Sequence, residues 1–223
     1  MVKIDLITGF LGSGKTTFIK KYAKYLMTQG MNIGILENDF GAVNVDMMLL
    51  KDLEGDQCEL EMVAGGCDAD CHRRRFKTKL IAMGMCGYDR VIVEPSGIFD
   101  VDEFFDALRE EPLDQWYEIG SVITIMNAKL EDTLSEEAEY LLASEAANAG
   151  CVVLSRSQDA SPEEIAKTRA HLNCALQAVH CSRQFGDEII EKNWEDFTEQ
   201  DLERIQNSGY HVEDYTKLHF PEK

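Results

Sequence analysis

Residues Gly9-Phe10-Leu11-Gly12-Ser13-Gly14-Lys15-Thr16-Thr17 read G-x-x-x-x-G-K-[ST], and the chain on either side has the periodicity such a loop requires. Val2 to Thr8 is an apolar run with Ile4, Leu6 and Thr8 alternating and a glycine at its end, which predicts a strand. Phe18, Tyr22, Tyr25 and Leu26 recur at helical spacing, and Gly30 closes the helix. In a strand, glycine-rich loop and helix of this kind, successive N–H groups converge on a phosphate. The helix N-terminus adds its partial positive charge. Gly12, Ser13, Gly14, Lys15, Thr16 and Thr17 are therefore the expected phosphate-binding residues. Lys15 reaches the β- and γ-phosphates, and the Thr16 hydroxyl ligates Mg²⁺.

A chain of 223 residues accommodates one sizeable α/β domain. The formal charge of −19 argues against nucleic acid or an anionic membrane as partner. No apolar run is long enough to span a bilayer and no signal-peptide pattern opens the chain, so a cytoplasmic location is expected. Seven cysteines, an odd number, argue for thiols or a metal site over a disulfide framework.

Along the chain, strands are expected at Met31 to Leu36, Cys58 to Val63, Tyr88 to Glu94, Ile119 to Met126, Cys151 to Leu154 and, last, Ala178 to Cys181. Glu59 and Glu61 alternate outward and mark Cys58 to Val63 as an edge strand. Helices alternate with these strands. One opens at Ser161-Pro162-Glu163-Glu164, with Ser as N-cap and Pro in the first position, and a short one opens at Thr198. The alternation predicts an α/β fold with a doubly wound, mostly parallel sheet, the three-layer sandwich of P-loop NTPases. The pattern weakens from Phe185 onward. Residues 1–185 are expected to form one domain, with 186–223 a helical tail and no separate second domain.

Four segments in this order resemble the CobW-like GTPases, relatives of the nickel-insertion GTPases for urease and hydrogenase. They are Ile7 to Thr17; Glu37-Asn38-Asp39-Phe40-Gly41 with Asp46, similar to the first switch; Gly65-Gly66-Cys67, at the place of a Gly-Cys-x-Cys-Cys motif; and Val91-Ile92-Val93-Glu94-Pro95-Ser96-Gly97, similar to a Walker B strand and the E-x-x-G after it. The resemblance covers roughly residues 1 to 185. It implies a slow GTPase that delivers or inserts metal ions, often through nucleotide-dependent homodimers, into client metalloproteins. The chain departs from the family at four points. Ala69 and Asp70 stand where the motif has its second and third cysteines, and Ala42 where a switch glutamate is common. Ser155-Arg156-Ser157-Gln158 replaces the guanine-reading N-K-x-D, and the tail is too short for the family's usual second domain.

Glu94 ends a buried apolar strand, where a carboxylate holds Mg²⁺ directly or through water. The Gly97 N–H is placed to meet the γ-phosphate. Glu37 and Asp39 complete the Mg²⁺ shell, orient the attacking water, or bind a second metal. Cys67, Cys71 and His72 form C-x₃-C-H, a donor set that suits Zn²⁺, Ni²⁺ or Co²⁺, with Glu37, Asp68 or Asp70 as a fourth ligand. Ser155, Arg156 and Gln158 are expected at the base. Gln158 offers one acceptor and one donor, which fits guanine in one orientation and adenine in the other, so GTP is expected with ATP tolerated. His72 to Lys79 is a basic island whose charges are balanced by acidic neighbours or bind an anion. The reading is a Mg²⁺-dependent GTPase coupled to metal delivery or client maturation. The alternatives are a nucleotide-switched chaperone module without a transported metal, and a small-molecule P-loop kinase.

Overall fold

The structure is a computed structural model that describes residues 1–10, 12–39, 45–64, 69–95, 101–131 and 133–218; at 39, 45, 46, 64, 69 and 70 it describes the backbone alone. The elements run β1 (Val2–Thr8), α1 (Lys15–Thr28), β2 (Ile33–Asp39), α2 (Val45–Leu50), β3 (Cys58–Ala64), α3 (Ala69–Gly84), β4 (Arg90–Glu94), α4 (Val101–Arg109), α5 (Leu113–Trp116), β5 (Tyr117–Asn127), α6 (Glu136–Ala147), β6 (Cys151–Ser155), α7 (Pro162–Ala178), β7 (Ile189–Ile190) and α8 (Glu199–Gln206). The strand order is β3-β2-β4-β1-β5-β6-β7, and the pairings described are all parallel. This is the expected doubly wound parallel sheet, with β3 at its edge as the outward Glu59 and Glu61 predict.

Two compact units divide the chain, Met1–Ile7 with Lys15–Ser121 and Thr8–Gly14 with Val122–Lys223. In the first, β4 is buried along its whole length, as a run of Val91, Ile92 and Val93 demands of a central parallel strand. Helix α1 buries Phe18, Ile19, Tyr22, Ala23, Tyr25 and Leu26 on one face. Helix α4 buries Phe104, Phe105 and Leu108, carries Asp102 and Glu103 in its first turn and ends on Arg109, so its charges complement its dipole. Deep in this unit a polar cluster is fully satisfied. Asp5 accepts from the Ser121 N–H at 2.8 Å and from the Tyr22 hydroxyl at 2.9 Å, and Arg90 lies 3.4 Å from it. Burial raises the Asp5 carboxyl above the usual carboxylate range, against the pull of Arg90.

In the second unit, α7 starts as expected: Ser161 and Glu164 form a reciprocal capping box with Pro162 in the first turn. Its end corrects the sequence reading. Ala178 to Cys181 is not the last strand. Leu172, Ala175, Leu176 and Val179 are buried at helical spacing, and the helix continues to Ala178. His180 then turns left-handed at φ 60. The His180 N–H donates to Gln177 O and the Cys181 N–H to Leu176 O, a paired C-terminal cap that the apolar run disguises. The last strand is β7, two residues long, paired with β6 in the register Val152↔Ile189 and Val153↔Ile190. The tail after α8 is tied to the same unit: the Val122 N–H donates to Gly209 O, His211 N–H to Asn148 O and Thr216 N–H to Val179 O.

Candidate nucleotide site

In the first unit, α1 opens with Lys15 and Thr16, whose side chains meet Glu94 at the end of β4. Lys15 Nζ lies 3.7 Å from Glu94 Oε1. The Thr16 hydroxyl donates toward Glu94 Oε2 at 3.5 Å, the outer limit of a hydrogen bond. All three are shielded: Thr16 and Glu94 are buried and the Lys15 side chain is 10% exposed. Parallel pairing of β2 with β4 sets Glu37 level with Glu94, so two buried carboxylates stand side by side at the carboxyl ends of neighbouring strands. That is the edge at which open parallel sheets bind ligands. A hydroxyl and a carboxylate are hard oxygen donors, and they fit Mg²⁺. Thr17 is exposed.

The residues expected to hold a transition metal lie at the start of α3 and around it. His72 is buried, and its Nε2 sits 2.5 Å from Asn38 Oδ1, which fastens α3 to the end of β2. Cys71 is half-buried and lines an open cavity of about 470 Å³ with Met62, Arg74, Arg75 and Lys79. Among the described residues no group of three His, Cys, Asp or Glu side chains is placed to hold a metal ion. Cys67, Asp68 and Gly97 lie outside the described residues, and Asp39 and Asp70 are described by backbone alone. Acidic neighbours balance much of the basic island: Glu110 takes Arg73 and Lys77, and Glu61 takes Lys79.

In the second unit, the loop after Thr8 is wound tightly. Gly9 has φ 137, and a Cβ there would stand 2.2 Å from the Ile125 carbonyl oxygen, so only glycine fits. The Ser13 N–H donates to Phe10 O at 3.0 Å. The Ser13 hydroxyl is buried and has no hydrogen-bond partner among the described residues, the condition of a polar atom that waits for a ligand oxygen. Arg156, left-handed at φ 56, returns to this loop and donates from Nη2 to Gly12 O at 3.3 Å. Ser155 is buried, with its hydroxyl 3.4 Å from Met126 O. Gln158 is exposed, and its Nε2 is 3.4 Å from Asp159 Oδ2. The six-membered edge of Trp194 stands against Gly14: Cη2 and Cζ3 lie 3.2 and 3.6 Å from where a Cβ on that glycine would be. Sequence reasoning missed Trp194, for its approach to Gly14 crosses 180 residues and leaves no local pattern.

A central parallel strand that opens into a glycine-rich loop, with lysine and threonine starting the next helix and a carboxylate ending a neighbouring strand, defines the P-loop nucleoside-triphosphatase fold. Within that class, the chain belongs to the family described as CobW/HypB/UreG, nucleotide-binding domain, which matches residues 3–184. The zinc chaperone YeiR of Escherichia coli is 27% identical over 164 residues, 73% of this chain and 49% of YeiR. The zinc-regulated GTPase metalloprotein activator 1 of Schizosaccharomyces pombe is 22% identical over 200 residues, 85% of this chain and 48% of that protein. The chain spans about half the length of these relatives. The crystal structure of the hydrogenase maturation factor HypB from Archaeoglobus fulgidus matches with a TM-score of 0.55 at 15% identity, over 92% of this chain and 86% of that one. At that identity the likeness is one of fold. No helix among the described residues is long and apolar enough to cross a membrane.

Proposed function

We propose that the chain is a Mg²⁺-dependent GTPase whose nucleotide state is coupled to delivery of a metal ion or maturation of a client protein. The observation that carries this reading is the convergence of Lys15 and Thr16 on the buried Glu94. Lys15 places its charge on the β- and γ-phosphates, where negative charge shifts as the bond to the leaving group breaks. Thr16 and Glu94 hold Mg²⁺, directly or through water, and Glu37 or Asp39 orients the attacking water. When bound, Mg²⁺ would supply charge neutralisation to the phosphates. Gly12, Ser13, Gly14 and Thr17 offer donors to the phosphates, and the Gly97 N–H reports whether the γ-phosphate is present. Ser155, Arg156 and Gln158 face the base.

The relatives named as zinc chaperones support a metal cargo, and Zn²⁺ leads Ni²⁺ and Co²⁺. Cys67, Cys71 and His72, with Glu37, are the residues to hold it. A client metalloprotein and a nucleotide-dependent homodimer are the partners proposed; nucleic acid and membrane are not among them, and the cytoplasm is the proposed location. The second reading is a nucleotide switch that carries no metal. It draws on Asn38, which engages His72 Nε2, and on Ala69 and Asp70, which replace two family cysteines. Titration of the purified protein with Zn²⁺, Ni²⁺ and Co²⁺, with and without GTP, separates the two. Metal binding whose affinity changes with GTP, and hydrolysis that changes with metal, support the first reading. GTP hydrolysis indifferent to all three metals supports the second.

A further inference from the structure

We propose that Trp194 walls the nucleotide pocket and packs against the nucleoside of bound GTP, which makes the segment after β7 part of the site. The inference rests on the reading above that this chain binds GTP. Parallel pairing of β6 and β7 brings both strands out at the same sheet edge. Ser155-Arg156-Ser157-Gln158 follows β6 there, and Glu191-Lys192-Asn193-Trp194 follows β7. Three parts of the second unit then meet around Gly14. The indole edge approaches within 3.2 Å of a Cβ built on this glycine, and the Ser155 Cβ within 3.7 Å. Gly14 belongs to the loop that would hold phosphates, and Ser155 opens the segment that would read the base. The ring and Ser155 both border the same point beside Gly14, close to where a nucleoside would pass from the phosphate loop to the base-reading segment.

The local structure holds the ring in place. Asn193 caps the turn Trp194–Asp196, its side chain accepting from the Glu195 N–H at 3.3 Å. Lys192 is clamped to Asp201 at 2.6 Å, and Asp201 closes the capping box of α8 with Thr198. Trp194 is itself half-buried. A large flat side chain fixed by a short capped turn loses little freedom when a planar ligand packs on it. Stacking of this kind tolerates any base, which suits a site whose Gln158 has one acceptor and one donor.

The protein has two tryptophans, so Trp116→Phe leaves Trp194 as the sole emitter. In that background GTP and GDP with Mg²⁺ should change Trp194 emission, and inorganic tripolyphosphate with Mg²⁺ should not. Trp194→Leu should weaken GTP binding measured by calorimetry by roughly ten- to a hundredfold, the scale of one lost stacking contact. It should leave tripolyphosphate binding unchanged, and Trp194→Phe should recover much of the loss. GTP binding that leaves the emission unmoved overturns the proposal while the GTPase reading stands, as does equal loss of GTP and tripolyphosphate affinity in Trp194→Leu. Absence of any GTP binding to the unmodified protein overturns both.

Discussion

Arg156 donates from Nη2 to the main-chain oxygen of Gly12, 3.3 Å away and 144 residues earlier in the chain. The contact pins the segment after β6 to the glycine-rich loop, and left-handed φ at Arg156 turns the residues that follow. In the proposed reading Gln158 is the base reader, with an amide where two acceptors would match the guanine N1–H and N2–H. An Asp at this position also sets a lone-pair clash at adenine N1. Discrimination between GTP and ATP should be weak, and Gln158→Asp should sharpen it by roughly tenfold or more, since one bidentate pair contributes about 1–3 kcal/mol. Competition binding at equal Mg²⁺ decides this. A preference for GTP of about a thousandfold in the unmodified protein, the scale of a site left with unpaired polar groups, would contradict it.

Glu94 faces both Lys15 and Thr16. Glu94→Gln keeps the shape and an acceptor for the threonine but removes the charge that, in the proposed reading, attracts Mg²⁺. The Mg²⁺ concentration needed for half-maximal GTP binding should rise roughly ten- to a hundredfold, as when an oriented ligand of a metal site is lost. Binding curves at fixed GTP and varied Mg²⁺ measure it, and an unchanged midpoint would remove Glu94 from the site.

The Asp5–Arg90 pair tests the fold apart from the site. Arg90 is 1% exposed and also donates to the Tyr22 hydroxyl at 2.9 Å. Arg90→Met leaves a carboxyl buried without its charge partner and should cost about 3–5 kcal/mol in urea unfolding. The double variant Asp5→Leu, Arg90→Met should recover part of that loss, because an apolar pair leaves no stranded charge. A single variant as stable as the parent would show that the pair contributes nothing.

Much of this was legible in the chain because it is written locally. The alternation in Val2–Thr8, the capping box at Ser161 and the glycine-rich loop each carry their own signal within a few residues. Ala178 to Cys181 misled because four consecutive residues fit a buried strand as well as the last turn of a helix. The deciding evidence was the spacing of Leu172, Ala175, Leu176 and Val179 further back. Long-range meetings left no trace. Nothing in the vicinity of His72 announces Asn38, 34 residues away, and nothing around Trp194 announces Gly14. The two-residue strand β7 is too short to show any period.

The tail should loosen in acid. The hydrogen bond from Lys192, and then the Thr198 N–H, hold the Asp201 carboxyl down to about 2. A carboxyl depressed in the folded state stabilises the fold above its unfolded value near 4, and that contribution disappears as pH falls through about 2. Asp201→Asn should therefore lower the urea midpoint at pH 5, and the difference from the parent should close by pH 2. The effect should be small and shrink in high salt, because the pair faces water. A difference that persists undiminished at pH 2 would mean that the charge of Asp201 contributes nothing.

The proposed GTPase activity depends on Lys15 acting on the phosphates of the nucleotide. Phosphate release from GTP with Mg²⁺, followed for the unmodified protein and for Lys15→Ala, measures it most directly. Slow turnover is expected of the parent and none above background of the variant, with the fold of the variant intact by circular dichroism, since Lys15 opens a helix outside the apolar core. Turnover by Lys15→Ala at the parent rate would contradict it.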